Sequence, residues 1–415
     1  MCFRKSVIGW SVACALQLMS GNASASAFAL IEQSSGLGNS FAGGAAAAED
    51  AATIFFNPAG MSRLKGSQVT VAASFIDSSA KFSDTGSAGA ALQTAGGDGG
   101  NAGGLAVVPN TYFVTDVEPY LKFGLGINVP FGLATEYDPT WIGRFQAVKS
   151  KIETININPS LSYEASDSVS LGIGLNYQRI TGELTSAVNY SAAAAQAAAD
   201  PSTDPAYVPA LTALAGAQSE GVSTIKGDDT AWGYNLGVLF NVTPQTRVGM
   251  AYRSKIKYTL KGTVSFADVP VLLSASPLLA NGDVVLPITM PDSFSISGFH
   301  QTGNGWDIMA DATWTGWSVL QEMKIDRSNG SNVLTVQEKW KDTWRVALGA
   351  TWHYNEQWLA RIGTAYDQTP MSDTYRTARI PDNDRTWISV GGQYKTSQAG
   401  TIDFGYAHLF VKDAS

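Results

Sequence analysis

The 415-residue chain is short of charge: Asp, Glu, Lys and Arg together make up 15% of it. A soluble domain carries about a quarter, so this surface is not built to be solvated all round. Cysteine is nearly absent. Cys2 and Cys14 are the two present, and both lie in an N-terminal stretch that reads as a removable leader. The mature chain therefore has neither disulfides nor thiolate metal sites. Histidine is scarce as well. His300, His353 and His408 adjoin no Gly-x-Ser-x-Gly elbow and form no His-x-x-x-His or His-Glu-x-x-His pair, so neither a catalytic set nor a metal site is expected. No phosphate-binding loop is present, and no cofactor is implied. Long apolar runs are missing too: no segment after the leader offers eighteen apolar residues without polar interruption, which excludes membrane-spanning helices.

The leader has the parts of a secretory signal. Arg4 and Lys5 precede an apolar stretch from Val7 to Met19, and Ala25-Ser26-Ala27 puts small residues where a signal peptidase reads. Cleavage is expected before Phe28, making residues 1–27 the signal peptide. The apolar stretch is too short for a membrane anchor, and Ser11 stands where a lipoprotein signal ending at Cys14 would want a branched apolar residue. Cleavage removes two of 27 basic residues and leaves 25 against 35 acidic, a net charge of −10, which argues against nucleic acid as a partner.

What is abundant is alternation. In "AWGYNLGVLFNV", Trp232, Tyr234, Leu236, Val238, Phe240 and Val242 share one face, opposite Gly233, Asn235, Gly237 and Asn241. In "TWRVALGATWHY", Trp344, Val346, Leu348, Ala350, Trp352 and Tyr354 oppose Arg345, Gly349, Thr351 and His353. In "TRVGMAYRSKIKYTLKG", Val248, Met250, Tyr252, Ile256, Tyr258 and Leu260 oppose Arg247, Arg253, Lys255, Lys257 and Lys261. Period-two segments of about ten residues or more exceed the usual five or six of a soluble sandwich or propeller. They fit an all-β, transmembrane antiparallel β-barrel, whose lipid face is apolar and whose lumen is wet. Trp232, Trp344, Trp352, Tyr354 and Trp358 fall where interfacial aromatic girdles belong.

Thirteen such strands are expected: 66–77, 105–115, 119–129, 148–164, 168–188, 228–243, 245–266, 286–301, 304–323, 334–354, 356–369, 384–396 and 399–412. Short turns alternate with long loops, as in bacterial outer-membrane barrels, whose short turns are periplasmic. Single-chain bacterial barrels have an even count, so a final strand is expected to be lacking from residues 66–415.

The segment before the first strand, "GLGNSFAGGAAAAEDAATIFFNPAGM", is neither amphipathic helix nor strand. Gly36-Leu37-Gly38 is followed by Phe41 where a dinucleotide site needs a third glycine, and a flexible leader is the plain alternative. This segment, with "VPFGLATEYDPTWIGR", "VGMAYRS", "WTGWS" and "IPDNDRTWISVGGQY", resembles the FadL family of outer-membrane transporters for long-chain fatty acids and other hydrophobic compounds. The resemblance runs from Phe28 to the end. It implies a fourteen-strand barrel with residues 28–65 folded into the lumen as a hatch, an outer-membrane location, contact with outer-membrane lipid and a monomer. Phe55, Phe56, Asn57, Pro58 and Gly60 would form or gate that hatch. Pro130, Phe131 and Gly132 would interrupt the third strand and mark a lateral exit.

The expected function is diffusion of long-chain fatty acids or related hydrophobic compounds across the outer membrane. Aromatic hydrocarbons or alkanes are the alternative substrates, and an open porin or an outer-membrane esterase are the contrasting classes. Residues 267–280, "ADVPVLLSASPLLA", place Leu272, Leu273, Leu278 and Leu279 in an external loop, where an apolar patch suggests a landing site. A carboxylate leaving water needs a cation. Alternation puts Arg253, Lys255, Lys257 and Arg345 on the inner face. The resemblance adds Lys324, from "GWSVLQEMKID", as a headgroup contact with Arg179 as its partner.

Overall fold

The structure is a computed structural model that describes residues 27–397 and 400–414, so the expected signal peptide lies outside the described residues apart from Ala27. Eighteen strands form one antiparallel sheet. They are β1 (Gln68–Asp77), β2 (Leu105–Glu118), β3 (Leu121–Asn128), β4 (Gly132–Glu136), β5 (Lys149–Ser166), β6 (Val169–Asn189), β7 (Glu220–Asn241), β8 (Thr246–Arg253), β9 (Ile256–Phe266), β10 (Gly282–Met290), β11 (Ser293–Gln301), β12 (Trp306–Thr315), β13 (Glu322–Arg327), β14 (Asn332–Gln337), β15 (Thr343–His353), β16 (Trp358–Asp367), β17 (Arg385–Ser397) and β18 (Gly400–Val411). Several are halves of one passage: β3 with β4, β8 with β9, β10 with β11, β12 with β13, and β14 with β15. Each passage pairs with the next in sequence. Among the described residues β1 pairs only with β2 and β18 only with β17. No helix is long and apolar enough to cross a membrane.

The alternation sets the faces. Along β7, Trp232, Tyr234, Leu236 and Phe240 are exposed while Asn235, Gly237 and Leu239 are buried. The buried face meets the N-terminal segment, which folds as short helical turns at Leu37–Asn39, Gly44–Ala47, Thr53–Phe56 and Pro58–Arg63. These turns touch β3, β5–β8, β11, β12 and β15–β18 on that one face. Among the described residues, eleven of the thirteen passages thus reach the same short segment.

The close fit has a sequence cause. At Gly237 an added Cβ would sit 1.9 Å from Asn57 Oδ1, and at Gly363 it would sit 2.2 Å from the Asn39 carbonyl carbon. Both positions admit no side chain, which is why glycines dot the inner faces of otherwise β-rich strands. Asn57 ties the segment down. Its Nδ2 donates to the carbonyls of Ala45 (2.7 Å) and Val238 (3.0 Å), and its Oδ1 accepts from the Ala59 N–H. Pro58 follows at the first helical position, where its missing N–H costs nothing.

One face assignment is corrected. Arg253 faces Asn235 on β7, yet Lys261 faces Asp228. The β8–β9 passage therefore carries one more residue than its partner over the same span, a bulge at Ser254–Lys255. A one-residue slip exchanges the faces of everything beyond it. Ile256, Tyr258 and Leu260 are consequently buried, while Lys255, Lys257 and Lys261 are exposed on the outward wall. β10 and β11 break at the same level, at Pro291–Asp292, and stay in register with β9 and β8.

Candidate functional site

A cavity of about 140 Å3 lies between the N-terminal segment and the inner face of the sheet. The segment supplies its apolar side through Leu30, Ile31, Phe41, Phe55, Phe56 and Pro58, and the strands supply Ser295, Ser297, Thr313, Arg253 and Arg345. Phe55 and Phe56 come from the Thr53–Phe56 turn and meet edge to face at 5.3 Å, with Phe41 6.1 Å from Phe56. Gly60 permits this turn, because a Cβ there would meet Thr53 Oγ1 at 2.1 Å.

Four charged residues line the cavity: Arg253, Arg345, Asp311 and Asp367. Arg253 lies over the Phe55 ring at 4.4 Å and donates to Asn176 Oδ1 (2.6 Å) and the Phe55 carbonyl (3.0 Å). It has no carboxylate within ion-pair distance among the described residues. Arg345 donates from Nη2 to the Ser40 carbonyl at 2.7 Å. Its Nε and Nη1 are buried without a hydrogen bond, although Asp311 stands 3.9 Å from Nη1. Buried guanidinium donors left unbonded are costly, and an incoming anion would satisfy them.

The other four cations singled out from the sequence are elsewhere. Lys324 is on the outward face of β13, half exposed and paired with Asp326 at 3.1 Å, because Met323 and Ile325 take the inward positions. Arg179 is on the outward face of β6, where Asn176 and Gln178 are buried but Arg179 is exposed and pairs with Asp228 at 3.2 Å. The expected inward placement of Lys255 and Lys257 fails through the bulge described above. None of these four touches the cavity.

Residues that period-two reading did not single out complete the inner surface. Phe28 inserts between Trp317 (4.8 Å), Trp340 (5.6 Å) and Phe131 (6.0 Å). This cluster joins Ile180, Ile256, Tyr258, Leu260, Ile288 and Met290 in one apolar core. Next to it is a small pocket of about 50 Å3 walled by Ile225, Leu260, Val284 and Ile325. A ladder of inward asparagines holds the segment from the other side: Asn156 to Asn128 and Asn176, Asn158 and Asn176 to Asn235, and Asn235 to the Ile54 carbonyl. The signal for it was the alternate asparagines of "ININPS".

Pro130 and Phe131 interrupt the third passage. β3 pairs with β5 at Asn128–Asn156, and β4 resumes at Gly132–Glu153 with the register shifted by one. β2 pairs with β3 only from Thr111 on, leaving its first half without a ladder toward β4. The N-terminal strand-like residues run beside this gap: Leu30 N–H donates to the Pro130 carbonyl, and Gly132 N–H to the Phe28 carbonyl. A groove of about 40 Å3 lies there, lined by Leu30, Val108, Val129 and Gly132. Leu30 borders both this groove and the central cavity.

In the β9–β10 loop, Leu273 is buried against Tyr190, Ala194 and Leu211 of the helical β6–β7 loop, and Leu279 packs partly onto the same cluster. Leu272, Leu278 and Val271 are exposed, Leu272 the least of the three.

The family profile described as "Outer membrane protein transport protein (OMPP1/FadL/TodX)" matches residues 16–415. The chain belongs to this family. A long-chain fatty acid transport protein of Salmonella typhi is 30% identical over 98% of this chain and 92% of its own length. Outer membrane protein P1 of Haemophilus influenzae is 32% identical, covering 96% and 89%. Among solved structures, a Pseudomonas aeruginosa FadL homologue superposes with a TM-score of 0.79 at 29% identity, covering 95% of this chain and 92% of its own. The Ralstonia pickettii toluene transporter shares the fold with a TM-score of 0.63 at 22% identity, covering 91% and 93%. As a member of the FadL family, the chain is an outer-membrane β-barrel protein.

Proposed function

We propose that this protein carries long-chain fatty acids across the outer membrane by diffusion, and that the fatty acid carboxylate is received by Arg253 and Arg345. The observation that carries the reading is a guanidinium, Arg253, which lines the cavity with no carboxylate at ion-pair distance among the described residues, although Asp311, 3.9 Å from Arg345, and Asp367 line the same cavity. An ionised headgroup entering such a site gains a charge-assisted hydrogen bond that a hydrocarbon does not. The alkyl chain has the Phe28, Trp317 and Trp340 cluster and its adjoining apolar pocket above it. Capture begins on the exposed Val271, Leu272 and Leu278 of the loop.

In this reading the barrel has fourteen strands. β1 and β18 run in the same direction, since an even number of antiparallel steps separates them, so one strand antiparallel to both would pair their free edges. Residues 28–65 act as the hatch, Asn57 and Pro58 being its anchor to β7, and the protein works as a monomer. Exit is lateral. Leu30 separates the central cavity from the groove at Pro130–Gly132, and a shift of the N-terminal residues joins the two spaces and opens a route to the bilayer. The reading includes no enzymatic step: His353 is held by Asp307 and His300 by Thr246, and His408 lies edge to face with Phe410.

The test is uptake of labelled oleate, with labelled toluene and labelled sucrose alongside, by cells that lack their own transporter and express the complete gene. Saturable entry of oleate with little toluene or sucrose supports the reading. Entry of toluene without oleate moves the substrate to aromatic hydrocarbons, which the ring-lined cluster around Phe28 would suit. Sucrose entry would make the barrel a porin.

A further inference from the structure

The outward wall changes character beyond Tyr177 and Trp232, whose rings lie 4.9 Å apart on neighbouring strands. On one side of that pair the exposed residues of β6 and β7 are apolar: Ile173, Leu175, Tyr234 and Leu236. On the other side the same faces carry Arg179, Glu183, Asp228 and Lys226, and β13 adds Lys324 and Asp326. These charges neutralise one another in pairs at 3.1–3.4 Å. Lys255, Lys257 and Lys261 differ. All three are exposed on the same outward wall, and none has a carboxylate within ion-pair distance among the described residues. Across the strand Lys261 faces Asp228, which is engaged by Arg179.

Lys255 and Lys257, two apart on a strand, stand roughly 7 Å apart along one face, and Lys261, four further on, roughly 13 Å beyond Lys257, so the three ammonium groups form a spaced row at the rim of the aromatic belt. Basic side chains at that depth meet lipid headgroups, and long lysine stems reach toward them. In an outer membrane the external leaflet is a phosphorylated glycolipid. The bulge at Ser254–Lys255 serves both faces at once: it sends Ile256, Tyr258 and Leu260 into the apolar chamber and turns the lysines to the membrane rim. We propose that Lys255, Lys257 and Lys261 are a docking strip for the phosphate groups of the outer-leaflet glycolipid. This rests on the outer-membrane location and not on the transported substrate.

The experiment titrates the purified protein in detergent with bis-phosphorylated lipid A and with its dephosphorylated form. The variants are K255Q/K257Q/K261Q and, as a control, K65Q/K395Q, which removes two exposed lysines elsewhere. Heat-modifiable gel mobility reports folding. The expected result is at least a tenfold loss of lipid A affinity in the triple variant, none in the control, and a wild-type preference for the phosphorylated lipid that vanishes at high salt. Equal affinity of wild type and triple variant overturns the proposal. So does displacement of the lipid by an equal concentration of inorganic phosphate, which would mean a site for any small anion. If the triple variant does not fold, the wild type decides alone: no preference between the two lipids overturns the strip.

Discussion

β8 and β9 are two halves of one passage through the wall, yet they present opposite chemistries to the interior. In β8 the inward residues are Arg247, Gly249 and Arg253, which hold or make room for the N-terminal segment. In β9 they are Ile256, Tyr258 and Leu260, which belong to the apolar core around Phe28. A single extra residue in the ladder produces the difference. It lets one strand line a polar, tightly packed floor and an oily chamber above it while Lys255, Lys257 and Lys261 stay on the outward face. The same break in β10–β11 keeps the neighbouring passage in step, so the two chemistries meet at one level across adjacent strands.

The comparison breaks most directly by charging the chamber. Leu260→Lys should destabilise the folded barrel by several kcal/mol, because an unpaired ammonium would be buried among apolar groups. Lys257→Leu, three residues away but outward, should stay within about 0.5 kcal/mol. Urea unfolding in micelles measures both, and the opposite ranking would restore the unbroken alternation. On the floor, Gly237→Val should cost about 1–3 kcal/mol through overpacking against Asn57 and loosen the segment, which limited proteolysis within residues 37–63 would detect. Unchanged protection would mean that the segment is not fixed through that contact.

The smallest effect is expected outside: Lys324→Ala breaks a half-exposed ion pair with Asp326, worth at most about 1 kcal/mol, and should leave oleate uptake unchanged. Slower uptake would return Lys324 to the substrate path.

Much of this was legible in the residues, and the misses share a cause. Where the ladder is regular, alternation assigned the faces correctly: Trp232, Tyr234 and Leu236 are outward, while Asn235, Gly237, Arg253 and Arg345 are inward. Beyond Ser254 in the β8–β9 passage the assignments inverted, because a bulge of ordinary residues leaves no mark in its own strand. Its one visible trace was Pro291 in the adjacent passage. Lys324 and Arg179 were carried over from a family motif, and a motif fixes order along the chain without fixing which face of a strand a side chain takes. The Phe28, Trp317 and Trp340 cluster joins residues more than 280 positions apart, so no local pattern announces it. Asn57 and Pro58 were also carried over from the resemblance, as hatch residues; the side-chain cap and the proline at the first helical position were not read in advance, although their chemistry is local.

The central claim is that a carboxylate is received at Arg253. It is tested by the dissociation constants of oleate and methyl oleate for purified wild type and Arg253→Gln. Losing a charge-assisted hydrogen bond costs about 1.5–3 kcal/mol, so oleate should bind roughly tenfold or more weaker to the variant while methyl oleate, which has no charge, binds both alike. Equal losses for the two ligands would show that Arg253 serves only to hold Phe55 and the N-terminal segment, and would contradict the account.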